Sequence, residues 1–284
     1  MSDLAVWADG RLRDAAEPVL SPVDHGVTVG DGVFETCGVV RGSAFALTRH
    51  LARLGRSARG LGLDEPDLDA VRAGVSAVLA AQPGAGRVRI TLTAGLGPLG
   101  SGRTPGAQTL LVVAGPAAPP RPVTAVRVPW TRNERSAVAG LKTTSYAENV
   151  VALGEATRQG ADEALLANTV GALCEGTGSN TFVERDGELL TPALSTGCLA
   201  GITRELVLEW SAQAGLPVRE AGPDELPWTA LDDVVAGRAH LALSGSVRTF
   251  VPIVGLDGHR LAAGPLTERV AALYREREAA DVDP

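Results

Sequence analysis

A mixed α+β protein of two domains is what this sequence predicts, a small N-terminal α/β domain followed by a larger, strand-rich one. Three observations carry that prediction. Helical and strand periodicities interleave along the chain instead of separating into blocks. A proline-rich stretch, Gly115-Pro116-Ala117-Ala118-Pro119-Pro120-Arg121-Pro122, interrupts both, because proline fits neither a helix interior nor a central sheet. The 284 residues are 45% hydrophobic, enough for one large core or two ordinary ones. The predicted division is residues 1–115, a linker at 116–122, and residues 123–284.

In chain order, Leu4 to Ala8, Asp9-Gly10 and Arg11 to Arg13 read as strand, tight turn and returning strand. A glycine-punctuated approach, Asp24-His25-Gly26 to Gly30-Asp31-Gly32, leads to the apolar run Val33 to Val40. Arg41-Gly42 breaks that run, and Ala44 to Leu47 returns as a hairpin. Thr48 to Leu61 repeats apolar residues at Leu51, Leu54, Ala58 and Leu61, a helical period. Asp67 to Ala81 is a second helix entered through Pro66, and Arg87 to Thr93 and Thr109 to Val113 are strands. Past the linker, Val123 to Pro129 is a strand. Ser145 to Arg158 is a helix with Ser145 and Glu148 in capping-box spacing and Gly160 at its stop. Ala164 to Ala167, Thr181 to Glu184 and Leu189-Leu190 are strands, the last two flanking an Asp186-Gly187 turn. Ile202 to Ala214 is a helix, strand, helix and strand follow through Pro252, and Thr267 to Glu278 is a terminal helix before a frayed acidic tail.

Composition excludes several functions. A net charge of -7 argues against nucleic acid or an anionic membrane as a general partner. The start Met1-Ser2-Asp3 has neither a basic nor an apolar region, and no stretch approaches a membrane span, so a cytoplasmic protein is expected. Cys37, Cys174 and Cys198 lie far apart and read as free thiols of a reducing compartment. The histidines show no paired spacing, so no metal site is expected. Gly95-Leu96-Gly97-Pro98-Leu99-Gly100 fits a dinucleotide fingerprint, but Pro98, Gly102 and Pro105 forbid the helix it must open.

Lys142 is the only lysine; every other basic residue is an arginine. A coding bias accounts for the arginines, and the exception is either an accidental surface lysine or a position where arginine does not serve. A lysine amine can lose its proton and attack a carbonyl, which a guanidinium cannot. Tyr146, four residues on, could hydrogen-bond whatever Lys142 holds; by itself it fits equally an aromatic on a buried helix face. Glu175 lies in a small-residue loop, Gly171 to Asn180, where a flat ligand could approach the backbone. A buried glutamate there would keep a heteroaromatic nitrogen protonated, as an electron-sink cofactor needs; the alternative is a solvated turn residue. Gly201-Ile202-Thr203-Arg204 opens a helix with free N–H groups suited to phosphate, though many helices begin so. Ser244-Gly245-Ser246 offers another hydroxyl or a plain turn.

Taken together, the lysine, the capped helix, Glu175-Gly176-Thr177-Gly178-Ser179-Asn180 and Gly201-Ile202-Thr203-Arg204 resemble the class IV (fold type IV) aminotransferases, a family of pyridoxal-phosphate enzymes. The likeness spans nearly the whole chain, from Gly30-Asp31-Gly32-Val33-Phe34-Glu35-Thr36 through His50-Leu51-Ala52-Arg53-Leu54 to Ser244-Gly245-Ser246. The first of these and Lys142 to Asn149 resemble the aminodeoxychorismate lyases of that family most. The resemblance implies the two-domain fold of type IV, with pyridoxal 5'-phosphate bound covalently by Lys142, which also carries the proton. It implies that Glu175 pairs with the ring nitrogen and Tyr146 with the ring hydroxyl. Arg53, the N–H groups of Ile202 and Thr203, the Thr203 hydroxyl and Ser246 would hold the phosphate. Arg89 falls where some relatives hold a substrate carboxylate. The family is dimeric, so the Gly30 to Thr36 stretch, with Phe34 and Thr36, and Arg103 can serve the neighbouring subunit's pocket. The implied activity converts 4-amino-4-deoxychorismate to 4-aminobenzoate and pyruvate, a step toward folate. The alternative is transamination of branched-chain amino acids, D-amino acids or simple amines.

Overall fold

The computed structural model describes residues 3–106 and 108–284. Met1 and Ser2 of the acidic start lie outside them. The fold is mixed α+β, and the chain forms two compact units. One comprises Met1–Ala118, Leu141–Tyr146 and Asp281–Pro284; the other comprises Pro119–Gly140 and Ala147–Ala280.

The first unit contains β1 (Ala5–Ala8), β2 (Arg11–Arg13), a short α1 (His25–Thr28), β3 (Gly32–Val40), β4 (Ser43–Ala44), α2 (Leu47–Leu61), α3 (Leu68–Ala81), β5 (Arg87–Thr93) and β6 (Thr109–Gly115). Its strands form one antiparallel sheet in the order β2-β1-β6-β5-β3-β4. Asp9-Gly10 and Arg41-Gly42 each place two successive residues at positive φ, the geometry a two-residue hairpin needs. Strand alternation sends Val88, Ile90 and Leu92 to the core, where Leu51, Leu54 and Ala58 of α2 and Val71, Val75 and Val78 of α3 meet them. Each large side chain so buried contributes roughly 1.5–3 kcal/mol. Asp67 starts α3 by accepting from Ala70 N at 2.9 Å.

The second unit contains β7 (Val123–Arg132), α4 (Ala147–Arg158), β8 (Glu163–Asn168), β9 (Leu173–Gly176), β10 (Asn180–Arg185), β11 (Glu188–Thr191), α5 (Ile202–Gln213), β12 (Val218–Glu220), α6 (Ala230–Val235), β13 (His240–Gly245), β14 (Thr249–Leu256), β15 (His259–Arg260) and α7 (Pro265–Ala280). The sheet order is β12-β11-β10-β13-β14-β7-β8-β9, and β9 pairs back to β10 through Glu175 and Asn180, so the sheet closes on itself. β7 pairs in parallel with both β14 and β8. β8 is buried along its whole length, as a strand covered on both faces must be. Val126, Val128, Ala164 and Leu166 form the ledge on which Ala152 and Ala156 of α4 pack.

Several expectations need correction. A single C-terminal domain from residue 123 onward is not what forms, because Leu141–Tyr146 and the last four residues belong to the first unit. The helix expected from Ser145 begins at Ala147, and the capping box is absent. Ser145 Oγ instead donates to Gly30 O at 3.0 Å, and the Glu148 side chain is 83% exposed. The tail is not frayed. Ala46 N donates to Val282 O at 2.7 Å, Thr48 N donates to Asp283 Oδ1 at 2.8 Å, and Arg49 Nε donates to Pro284 O at 2.8 Å. The tail thus supplies the acceptors that the start of α2 lacks, since Ala46 has no side chain to cap with. Finally, Glu175 lies on β9 and is 8% exposed, so it is no solvated turn residue. Among the described residues no helix opens after Gly95 to Gly100, none is long and apolar enough to cross a membrane, and no cluster of three metal-ligating side chains forms.

Candidate active site

Lys142 enters the first unit as an added strand. Phe34 N donates to Lys142 O at 3.0 Å, Thr144 N donates to Gly32 O at 2.8 Å, and Val33 bridges Thr143. Gly32 is required here, because a Cβ would come within 2.8 Å of Leu92 O and 3.1 Å of Thr144 Oγ1. Lys142 N also donates to Ser57 Oγ at 3.2 Å. With the backbone so held, Nζ lies 4.3 Å from the centre of the Phe34 ring and donates to the Tyr146 hydroxyl at 3.4 Å. Tyr146 meets Phe34 edge to face at 5.0 Å.

Phe34, Thr36, Arg89 and Thr91 share one face of the sheet, since Phe34 is opposite Thr91 and Thr36 opposite Arg89. The Arg89 guanidinium lies 3.8 Å from the Phe34 ring centre and donates to Thr91 Oγ1 at 3.2 Å. Arg89 is exposed as a residue, but its head group is shielded against the ring, which pushes its pKa down. No carboxylate pairs with it among the described residues.

On the opposite, core-facing side of β3 stands Glu35, fully buried, a residue to which sequence reasoning attached no role. Arg53 of α2, expected on the phosphate, sits 4% exposed with Nε donating to Glu35 Oε1 at 2.8 Å and Nη2 donating to Oε2 at 2.7 Å. His50, one turn earlier on the same helix face, places Nδ1 2.6 Å from Glu35 Oε2. Burial raises the carboxylate pKa, but Arg53 and His50 outweigh it and hold Glu35 well below the usual range. Burial pushes the His50 pKa down, with the Arg53 and Lys142 charges adding to it and Glu35 opposing it. Arg103, expected near a neighbouring pocket, is clamped by this chain's own Asp31 at 2.6 and 2.5 Å and by the carbonyls of Gly62 and Leu61.

In the second unit, Glu175, Asn180 and Ser244 stand side by side across β9, β10 and β13. Glu175 Oε2 accepts from Leu199 N at 2.9 Å, and Arg132 Nε lies 3.2 Å from Oε1. Asn180 Nδ2 donates to Leu199 O at 2.8 Å, which fixes the approach to α5. Gly201, the N-cap of α5, has no room for a Cβ beside Asn180 and offers no side-chain cap. The first-turn N–H groups of Ile202 and Thr203 are therefore not claimed by a capping side chain. Thr203, 3% exposed, shares a hydrogen bond with Tyr274 of α7. Ser246 occupies the turn between β13 and β14, half-buried.

Glu163 on β8 is the second residue that sequence reasoning missed. It is 1% exposed, and its carboxylate accepts from Thr177 N at 3.0 Å, from the Thr177 hydroxyl, from Ser179 Oγ at 3.0 Å and from Arg248 Nη1 at 2.9 Å. One carboxylate thus pins both the Gly176 to Ser179 loop after Glu175 and the turn that carries Ser246. Only its position directly ahead of the apolar run Ala164 to Ala167 could have marked it.

Residues 32–255 match the family model of class IV aminotransferases. A bifunctional aminodeoxychorismate lyase and D-amino acid transaminase of Mycobacterium tuberculosis is 29% identical over 95% of this chain and 97% of its own length. Among solved structures, the fold IV transaminase CpuTA1 of Curtobacterium pusillum is 31% identical with a TM-score of 0.80, covering 95% of this chain and 98% of that one. A protein described as a hypothetical aminotransferase of M. tuberculosis, in its PLP-bound form, is 28% identical with a TM-score of 0.82 over 99% and 100% of the two chains. With the model matching most of its length, the chain belongs to the class IV aminotransferases, whose cofactor is pyridoxal 5'-phosphate.

Proposed function

We propose that this protein is the lyase of the family, converting 4-amino-4-deoxychorismate to 4-aminobenzoate and pyruvate. The donor set fits the cofactor. A single lysine amine beside a phenol suits the aldehyde and ring oxygen, buried Glu175 suits a ring N–H, and Ile202 N, Thr203 and Ser246 suit phosphate, with Arg53. When bound, pyridoxal phosphate supplies the aldehyde that captures the substrate amine and the ring that accepts its electrons. With the substrate amine held there, the free Lys142 amine would take the proton from the carbon bearing nitrogen. The C–O bond to the enolpyruvyl group breaks, the released enol takes up a proton as pyruvate, and the ring becomes aromatic. Glu175 would hold the ring nitrogen protonated. Tyr146 orients the Lys142 amine through their contact.

The observation that carries the reading is Arg89, a guanidinium with no carboxylate partner among the described residues, lying over the same ring as the lysine amine. It is suited to a substrate carboxylate, with Thr36 opposite it on the same face. The name of the M. tuberculosis relative supports the lyase activity, and the same name supports the second reading, transamination, for D-amino acids. Val150 and Val151 of α4, 67% and 56% exposed, support a homodimer, and three buried free cysteines suit a reducing, cytoplasmic compartment.

The two readings separate by acceptor. A transaminase needs a keto acid to take up the amino group in every cycle; the lyase needs no acceptor. Sustained release of 4-aminobenzoate and pyruvate with no keto acid present is the expected result. An inert substrate, with steady turnover of an amino acid plus keto acid, replaces the lyase by the transaminase.

A further inference from the structure

Two sequence motifs in the first unit contain residues that the proposed chemistry does not use. One is Glu35 in the stretch Gly30 to Thr36, and the other is His50 in the stretch His50 to Leu54. We propose that Glu35 is a positioning residue that sets the plane of the Arg53 guanidinium for the cofactor phosphate, with His50 steadying the carboxylate. The inference rests on the reading that Arg53 meets that phosphate.

The geometry gives the reason. Arg53 carries five N–H donors in a rigid plane, and two of its nitrogens, Nε and Nη2, are committed to the two oxygens of Glu35 at 2.8 and 2.7 Å. Paired bonds of this kind fix a plane, whereas a single contact would leave the guanidinium free to rotate. The edge bearing Nη1 is thereby turned away from Glu35. His50 Nδ1, 2.6 Å from Oε2, must carry its proton, since a carboxylate only accepts. All three side chains come from two elements held by the same core, for Glu35 lies between Val33 and Cys37 on one face of β3, and His50 and Arg53 flank Leu51 and Leu54 on α2. Glu35 also matches the Arg53 charge, which would otherwise stand alone in a buried place.

Replacing Glu35 by glutamine has two opposed effects. Removing the negative charge raises the positive potential of Arg53, which favours phosphate. Against that, the new amide would offer one acceptor oxygen to three donors and turn its own N–H groups on the rest. The guanidinium then cannot keep its plane, and we expect orientation to decide the outcome.

The test titrates the apoprotein with pyridoxal 5'-phosphate and with pyridoxal, following the absorbance of the lysine adduct. If wild type forms no adduct with either, the functional reading itself fails, independently of Glu35. Given an adduct, Glu35→Gln should weaken pyridoxal phosphate roughly ten- to a hundredfold, the range of one charge-assisted contact, and pyridoxal by less than about twofold. In an Arg53→Met background the same change should alter the ratio of the two affinities no further. Equal weakening of both aldehydes, an unchanged ratio, or a ratio shifted toward the phosphate in Glu35→Gln overturns the proposal. Arg53→Lys gives an independent check should Glu35→Gln not fold. It keeps the cation and loses the fork, so the preference for the phosphorylated aldehyde should fall by a similar factor; if it survives, orientation by Glu35 is not needed.

Discussion

In the second unit, Glu175, Thr203 and Ser246 are held by neighbours whose own places are set by backbone: Leu199 N on Glu175, Asn180 across the strand pair, and Glu163 beneath two loops. In the first unit, Lys142, Tyr146 and Arg89 are held by one another around the Phe34 ring, and Arg89 remains exposed. The first arrangement suits binding groups that stay put, because main-chain hydrogen bonds and a buried carboxylate admit few alternatives. The second suits groups that must move a proton and admit different substrates, because contacts over an aromatic face tolerate displacement. On this view the second unit holds Glu175, Thr203 and Ser246 rigidly, while the first leaves Lys142, Tyr146 and Arg89 room to move.

The largest effect expected from breaking that division is at Lys142. Lys142→Arg keeps the positive charge and removes the only lysine amine, so activity should fall below detection. Borohydride reduction of wild type should fix the cofactor to Lys142 alone. Thermal stability should stay within about 1 kcal/mol of wild type, since the backbone bonds of Lys142 to Phe34 and Ser57 do not involve its side chain. A label recovered on another residue sinks the assignment of Lys142, and a large loss of stability means that this side chain is structural after all.

Glu163→Ala should do the reverse. It strips the partners from Thr177 N, the Thr177 and Ser179 hydroxyls and Arg248. Because the Arg248 side chain is 38% exposed, the ion pair itself is screened, and most of the loss falls on the buried neutral donors. Roughly 2–4 kcal/mol of stability should disappear, together with cofactor affinity. Thermal melts with and without pyridoxal phosphate check both. If Tm is unchanged, the second unit is not held as the comparison requires.

How much of this could be read from sequence follows the same division. The helix start at Gly201 was legible from its residue types, and Lys142 and Glu175 stood out because the proposed chemistry asks for those residue types. The hairpin turn at Asp186-Gly187 and the inward positions of α2 followed from local propensity and period. Glu35 and Glu163 were not legible, because each is a carboxylate in a strand whose partners come from distant parts of the chain: α2 for one, residues 177 to 179 and 248 for the other. A buried charge is recognisable only once its counter-charges are placed. The false capping box at Ser145 has a similar cause, since Gly30 O, 115 residues away, competes for its hydroxyl.

The smallest expected effect concerns pH and the carboxylate beneath Arg53. Burial holds His50 below its ordinary 6.5, so the folded protein binds fewer protons than the unfolded chain between that lowered value and 6.5. Stability therefore rises with pH across this window and declines as pH falls below about 6.5. Glu35, held far below its ordinary 4.5, adds stability that is present above 4.5 and is lost only at lower pH. The two steps are thus separable. His50→Asn keeps an N–H near the position of Nδ1 and cannot titrate, so it should flatten the upper step while leaving the acid step in place. Between pH 7.5 and 5.5 that step is worth at most about 1.4 kcal/mol, a Tm change of roughly 2–5 °C. If His50→Asn shows the same slope as wild type in this range, the imidazole is not the titrating group. The first unit's core then owes its pH response to a residue away from Glu35.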